Sequence, residues 1–341
     1  MSEIARLGEE TEGRILDSIY FGGGTPSLMH PDLIAAIIES VQSTWRTAND
    51  VEITLEANPG SVEADRFAGY RDAGVNRVSI GVQALDDRDL RRLGRMHSVA
   101  EARRAVEIGN ATFSRVNFDL IYARQDQSLD SWRMELAEAL SLGSSHLSLY
   151  QLTVEEGTVF QQRYAKGQLR GLPGEDLAAD MYELTQTTCN AAGMPAYEVS
   201  NHARSGQESR HNLVYWRGGD YLGVGPGAHG RITLAGKRMT TEAIRLPEAW
   251  LAAVENQGSG ELPRQTLSRD EAGAEYLMMG LRIKEGVRGS RYAELTGREL
   301  DSARLRDLTS LGLLRADEDR LQLTDSGTMV LNAVLRDLLA R

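Results

Sequence analysis

A single cysteine, Cys189, stands in a chain of 341 residues. That excludes a disulfide within the chain and any metal or iron–sulfur site built from this chain's thiolates alone. Positive charge is also short, 38 Lys and Arg against 49 Asp and Glu, for a formal charge of −11. A surface of that sign repels nucleic acid and anionic lipid. No apolar run approaches the length of a membrane span. The opening MSEIARLGEETEGR is polar and acidic, neither a signal peptide nor a basic transit peptide, which points to the cytoplasm. There is no GxxxxGK[ST] segment of the kind that cradles nucleotide phosphates. What remains is a composition 41% hydrophobic, enough for one large domain and one or two small ones.

The chain's pattern is set by Tyr20–Met29 (YFGGGTPSLM), in which a strand ends in three glycines and a helical period follows. β and α segments alternate from there. Strands are expected at Ser18–Phe21, Val51–Leu55, Arg77–Gly81, Ser114–Ile121 and His146–Leu152. Helices are expected at Pro31–Trp45, Val62–Ala73 (capped by Ser61, stopped by Gly74), Asp87–Leu93, Val99–Ile108 and Ser131–Leu142. This rhythm predicts an α/β fold, a curled parallel sheet with helices outside. The chain opens on a helix, EIARLGEE, with no strand before it, which reads as a β/α barrel lacking its first strand. After Leu152 the rhythm breaks. A polar connector leads to a helix at Leu177–Ala192 and a short strand at Ala196–Ser200. Antiparallel strands are expected at Asn212–Trp216 and Gly230–Leu234, flanking a glycine-rich loop. From Ser268 the order helix, helix, helix, wing, helix predicts a winged-helix-like end. It holds 12 Lys/Arg against 13 Asp/Glu, so it reads as a packing domain and not as a reader of DNA. The expected division is 1–155, 156–262 and 263–341.

The successive strands end in polar residues. Gly23, Gly24 and Thr25 follow the first, Glu56 ends the second, Gln83 follows the third, and Asp119 lies near the end of the fourth beside Asn117. The helix after the third strand carries Arg95. In a parallel barrel these strand ends share the catalytic end. Each residue alone serves as well for a cap or turn; as a set they form a site. The glycine turn bares backbone N–H groups, the carboxylates take an ammonium or ribose hydroxyls, and Arg95 takes a carboxylate. That inventory suits a zwitterionic nucleoside better than a nucleotide polyphosphate. The segment Gly225–Gly230 formally matches GxGxxG, but a strand follows it, so no helix N-terminus is available to a pyrophosphate.

Read in order, YFGGGTPS, LEANPG, RVSIGVQAL, LRRLGRMH, FDLIYARQ, HNLVYW, YLGVGPGAHG and EYLMMGLRIKEGV resemble the radical-SAM family around oxygen-independent coproporphyrinogen III oxidase, and within it the HemW-type heme chaperones. The resemblance implies a radical-SAM partial (β/α) barrel, a small α+β region and a winged-helix-like end. It implies S-adenosylmethionine held by Gly23, Gly24 and Thr25, with Glu56, Gln83, Arg95 and Asp119 at further cofactor-binding positions. It also implies a [4Fe–4S] cluster on Cys-x-x-x-Cys-x-x-Cys ahead of GGGTP. This chain departs there, having no cysteine before 189, so it is expected either to be shortened at its N-terminus or to be a natural cluster-free paralogue, and in both cases not to assemble that cluster as given. No catalytic residue and no metal ligand is assigned. Ala123-Arg124-Gln125 stands where many relatives have Gly-Leu-Pro, a loop of different shape. In HNLVYW, His211 is a candidate heme ligand at the mouth of a strand, with Tyr215 as flat contact; the alternative is a hairpin stitched by Asn212 and Tyr215. The expected activity is heme binding and transfer, with coproporphyrinogen III oxidation as the alternative. The implied partners are heme and heme-accepting proteins, membrane-associated acceptors among them, and no nucleic acid; the oligomeric state stays open.

Overall fold

A computed structural model describes residues 1–60, 64, 66–154, 157, 159–167 and 169–340. The chain divides into two compact units, one of Ser18–Ile38 and Glu52–Glu208, the other of Met1–Asp17, Glu39–Val51 and Ser209–Arg341.

The first unit carries the larger part of a six-stranded sheet. Its strands run in spatial order β1 (Ile15–Phe21), β2 (Arg46–Ala57), β3 (Arg77–Gln83), β4 (Arg115–Tyr122), β5 (His146–Gln151) and β6 (Asn201–Ala203). β2 to β5 are parallel neighbours and β6 closes the order antiparallel. Side chains alternate along a strand, and here the alternation separates two chemistries. Ile53, Leu55, Val78, Ile80, Val116, Phe118, Leu147 and Leu149 form one buried apolar set. A fully buried aliphatic side chain contributes roughly 1.5–3 kcal/mol. The helix Val99–Thr112 packs on β3 and β4, and a Cβ on its Gly109 would lie 3.1 Å from Ile80 and 3.6 Å from Val78 and Val116. The other face presents Thr54, Glu56, Arg77, Ser79, Asn117, Asp119, His146 and Ser148.

Local chemistry explains the helices. Ser98 and Glu101 make a capping box at the start of Val99–Thr112, and Ser128 with Ser131 does the same for Leu129–Ser141. Gly74, at φ +108°, ends the helical stretch that includes Phe67–Asp72, as expected. The cap expected at Ser61 lies outside the described residues. Trp132, fully buried, stacks on Tyr122 at 4.9 Å and donates to Thr185 Oγ1 at 2.9 Å, tying Leu129–Ser141 to the helix Glu175–Ala191. The short strand expected at Ala196–Ser200 forms instead at Asn201–Ala203. Glu198 accepts from the Ser200 N–H and from the Asn201 amide, which folds 198–200 into a turn and leaves Ala196 only an isolated bridge to His202.

In the second unit, β7 (His229–Leu234), β8 (Lys237–Glu242) and β9 (Gln265–Thr266) form an antiparallel sheet. The C-terminal part is winged-helix-like, as expected. Helices Arg269–Gly280, Gly289–Thr296 and Ser302–Ser310 precede the hairpin of β11 (Leu314–Asp317) and β12 (Arg320–Leu323), and β10 (Val287–Arg288) completes that sheet. The last helix is not continuous. It breaks at Val330 (φ −114°, ψ 24°) into Asp325–Met329 and Leu331–Leu339. Asn212–Trp216, expected as a strand, belongs to the helix Arg210–Trp216, because the Ser209 hydroxyl accepts from the Asn212 N–H and caps it. No helix among the described residues is long and apolar enough to cross a membrane.

Candidate functional site

The glycine turn after β1 is held from beneath by Glu56. One carboxylate oxygen accepts from Tyr20 Oη at 2.6 Å and the other from the Gly23 N–H at 3.2 Å. Gly23 (φ +80°) and Gly24 (φ +61°) lie in the left-handed region that only glycine takes at little cost. A Cβ on either would meet nothing within 4 Å, so the turn is open on that side. Gly22 is different: a Cβ there would lie 2.5 Å from the Tyr20 ring. Burial first, and then the Glu56 charge, push the Tyr20 phenol far above its ordinary range. Thr25 heads the short 3₁₀ turn Pro26–Leu28, and the Asn58 amide reaches its hydroxyl at 3.5 Å.

Asp119 ends a polar chain across the sheet. The Asn117 amide nitrogen donates to Asp119 Oδ1 at 2.9 Å and to Ser79 Oγ at 2.6 Å. Its carbonyl oxygen accepts from His146 Nδ1 at 2.5 Å and Ser148 Oγ at 3.2 Å. His146 Nε2 in turn meets Tyr197 Oη at 2.9 Å. Desolvation raises the Asp119 carboxyl to about 6, against the lowering pull of Ser148 and Asn117. Gln83, nine-tenths buried, sits at φ +71° where the β3–β4 register shifts. A non-glycine residue held there costs of order 1–3 kcal/mol. Arg95 is exposed between the helices Asp87–Arg92 and Val99–Thr112. Among the described residues no hydrogen bond or ion pair ties it to the other candidates. The structure therefore brings Gly23 and Glu56 into contact, puts Thr25 on the same turn, and lines up Asp119 on the polar face.

The second unit holds the His211 candidates. On the half-buried helix Arg210–Trp216 the Tyr215 hydroxyl and His211 Nε2 share a hydrogen bond at 2.9 Å, and the rings meet edge-on at 4.7 Å. Tyr221 packs edge-on against Tyr215 at 4.2 Å. Burial and Tyr221 push the Tyr215 phenol up to about 12. Trp216 Nε1 is buried without a hydrogen-bond partner among the described residues. The i, i+4 spacing of His211 and Tyr215 is the signal that this stretch is helical.

Reading by strand ends missed Tyr20 and His146, and passed over Asn117 as a hub. The signal was available in Glu52–Thr54–Glu56, Arg77–Ser79, Arg115–Asn117–Asp119 and His146–Ser148: every second residue is polar in strands that a two-sided apolar sheet would make apolar throughout. No iron–sulfur cluster fits the residues present. Cys189 is fully buried on a helix, its thiol pushed up to about 12 by burial. Among the described residues no group of three His, Cys, Asp or Glu is placed to hold a metal ion.

Residues 1–134 match the radical SAM superfamily, and residues 267–330 match the HemN C-terminal domain. The Escherichia coli coproporphyrinogen III oxidase (HemN), described as a radical SAM enzyme, superposes with a TM-score of 0.80 at 21% identity, over 99% of this chain and 81% of that one. That likeness establishes the fold, a curled half-barrel of parallel strands followed by the HemN-type end. The chain thus has the fold of that radical SAM enzyme. It is 38% identical over 333 residues to the heme chaperone HemW of Escherichia coli, spanning 96% of this chain and 85% of the relative. It is 40% identical over 339 residues to the bovine radical S-adenosyl methionine domain-containing protein 1, mitochondrial, spanning 96% of this chain and 76% of the relative. The chain belongs to the HemW family of radical SAM proteins.

Proposed function

We propose that this chain binds heme and passes it to heme-accepting proteins, working in the cytoplasm, with membrane-associated acceptors among its partners. The observation that carries the reading is the match to the heme chaperone HemW along 96% of the chain, which takes in the His211–Tyr215–Tyr221 cluster. His211 supplies an imidazole to the heme iron, and Tyr215 and Tyr221 supply flat apolar contact. Nε2 is engaged by the Tyr215 hydroxyl, so ligation through that nitrogen displaces the hydroxyl, which is then available to a propionate of the heme. A titration followed by Soret absorbance tests this: wild type binds heme, and His211→Ala loses affinity at least tenfold. Equal affinity in the two removes His211 from the reading.

In the same proposal Gly23, Gly24 and Thr25 offer the open backbone edge on which S-adenosylmethionine lies. Glu56 braces that edge, and Gln83, Arg95 and Asp119 are further contacts. The donor set fits a sulfonium-bearing nucleoside: the turn is open, and Glu56 and Asp119 supply negative charge. When bound, that cofactor supplies an electrophilic sulfonium carrying methyl, adenosyl and aminocarboxypropyl groups. This chain's residues hold and orient it; with no thiolate set for a cluster, no radical step is assigned to them.

The second reading is oxygen-independent oxidation of coproporphyrinogen III, favoured by the superposition on HemN. An anaerobic assay of a version extended upstream to include the cluster cysteines decides it: carbon dioxide release from the propionates revives it, and its absence alongside tight heme binding leaves the chaperone.

A further inference from the structure

Arg77, at the start of β3, is 3% exposed, yet its guanidinium makes no hydrogen bond to any described residue. Its ion-pair partner is Glu52, at 4.0 Å, a carboxylate already engaged by Arg115 at 2.8 Å, and its charge also acts on the buried Asp119 carboxyl. Beside Arg77 in the β2–β3 register stands Thr54, fully buried, with a hydroxyl that finds no partner among the described residues. A buried arginine held only by a 4.0 Å ion pair, beside a buried hydroxyl with no partner among the described residues, leaves donors for which a ligand can compete. At the lower end of this face two cations, Arg77 and Arg115, share one anion, Glu52. Higher up, Glu56 is occupied by Tyr20 and Gly23. A guanidinium this buried that makes no hydrogen bond is costly unless an acceptor completes it.

We propose that Arg77 and Thr54 form a carboxylate-binding site on the inner face of the half-barrel, and that a carboxylate of the ligand occupying this face is held there. A guanidinium takes a carboxylate through two parallel N–H donors, and the Thr54 hydroxyl adds a third. The inference rests on the functional reading only for its two candidate ligands, S-adenosylmethionine and heme, each of which bears a carboxylate.

The wild-type full chain gives the first test, with no mutation needed. S-adenosylmethionine is compared with its decarboxylated form by calorimetry, and heme with heme dimethyl ester by Soret titration. For the ligand that occupies the site, loss of the carboxylate weakens binding tenfold or more, and the pair that shows the loss identifies the source. Arg77→Gln then weakens the parent ligand to the same level and abolishes the preference over its carboxylate-free analogue; Thr54→Val reduces that preference severalfold. If both analogues bind wild type as tightly as their parents, or if folded Arg77→Gln keeps the full preference, the site is overturned. If neither parent binds, the functional reading fails by itself and propionate becomes the probe. Propionate then raises the melting temperature of wild type more than that of Thr54→Val, and an equal effect on the two overturns the site.

Discussion

The side-chain oxygen of Asn117 accepts a hydrogen bond from His146 Nδ1 at 2.5 Å. At neutral pH the Asp119 carboxylate can only accept, so the Asn117 amide nitrogen must face it, and the Asn117 oxygen is left to face the imidazole. His146 therefore carries its proton on Nδ1, and Nε2 accepts from Tyr197. A second proton, on Nε2, would need the Tyr197 hydroxyl to turn from donor to acceptor. Burial, followed by the positive charges of Arg77, Arg115 and His202, lowers the His146 pKa well below the usual 6.5.

That assignment predicts a specific acid sensitivity. The unfolded chain takes up a proton below pH 6.5 that the folded chain refuses, so stability falls as pH drops through that value, by at most roughly 1.4 kcal/mol per pH unit. His146→Gln keeps a donor for Asn117 and removes the titration. Denaturant melts of wild type and variant from pH 7.5 to 5 are expected to diverge in slope, wild type losing more. Parallel lines would mean that His146 is not held neutral.

Asp119 works in the opposite sense. Its folded pKa, about 6, is raised above the ordinary 3.8, so the folded state binds the proton more tightly and is favoured at low pH. That contribution is present below about pH 4 and is lost as pH rises through about 6. Asp119→Asn removes the buried charge. At pH 7.5 the variant is expected to be more stable than wild type by roughly 1–3 kcal/mol, with the gap closing by pH 4, while S-adenosylmethionine binding weakens. Thermal melts across that range check the sign.

The β/α rhythm and the glycine turn were legible because each is a local pattern: an apolar run, a cap, a stop. The contacts that make the site were not. Tyr20 reads as the apolar end of a strand, and nothing nearby marks it as the partner of Glu56, 36 positions on. Asn212–Trp216 reads as a strand because Val214, Tyr215 and Trp216 favour strands, whereas the decisive cap, Ser209, lies before the stretch. Glu198 reads as a strand residue until its carboxylate is seen closing a turn. Arg95 joins the candidate set by its place in a motif, and its position in space is an exposed turn.

The glycines of the turn should separate by mechanism. Gly23→Ala and Gly24→Ala meet no neighbouring atom, so each costs only the left-handed backbone, about 1–2 kcal/mol. Gly22→Ala drives a methyl into the Tyr20 ring and disturbs the phenol that braces Glu56, so it is expected to cost more than either. Urea denaturation of the three variants ranks them, and equal costs would mean that the ring yields freely.

The 123–127 loop is tied down by the Arg124 side chain. Arg124, 4% exposed, donates to Glu135 at 2.6 Å and to Asp89 at 3.0 Å, and Glu135 also accepts from the Leu85 N–H and from Gln127. Arg124→Leu leaves Glu135 buried without its cation and is expected to cost about 3–5 kcal/mol. The double variant Arg124→Leu/Glu135→Leu should recover part of that loss, as read by melting temperature. Ala123 is at φ +56°, so Ala123→Gly should be neutral or stabilising by up to about 1 kcal/mol.

Heme capture by His211 carries a built-in competition, and that makes its direction testable. The Tyr215 hydroxyl sits on Nε2 at 2.9 Å, and a neutral hydrogen bond of this kind has a net worth of about 0.5–1.5 kcal/mol. Ligation through Nε2 must first break it. Tyr215→Phe keeps the ring against Tyr221 and deletes the hydroxyl, so heme affinity should rise about 2–10-fold if the competition dominates. If the freed hydroxyl instead binds a propionate, the same variant loses affinity for heme but not for heme dimethyl ester. Tyr215→Ala removes the flat contact as well and should weaken both. His211→Ala abolishes the imidazole signature in the heme spectrum, and in that background Tyr215→Phe should have no further effect on affinity. Two independent losses would show that His211 and Tyr215 do not act on the same iron.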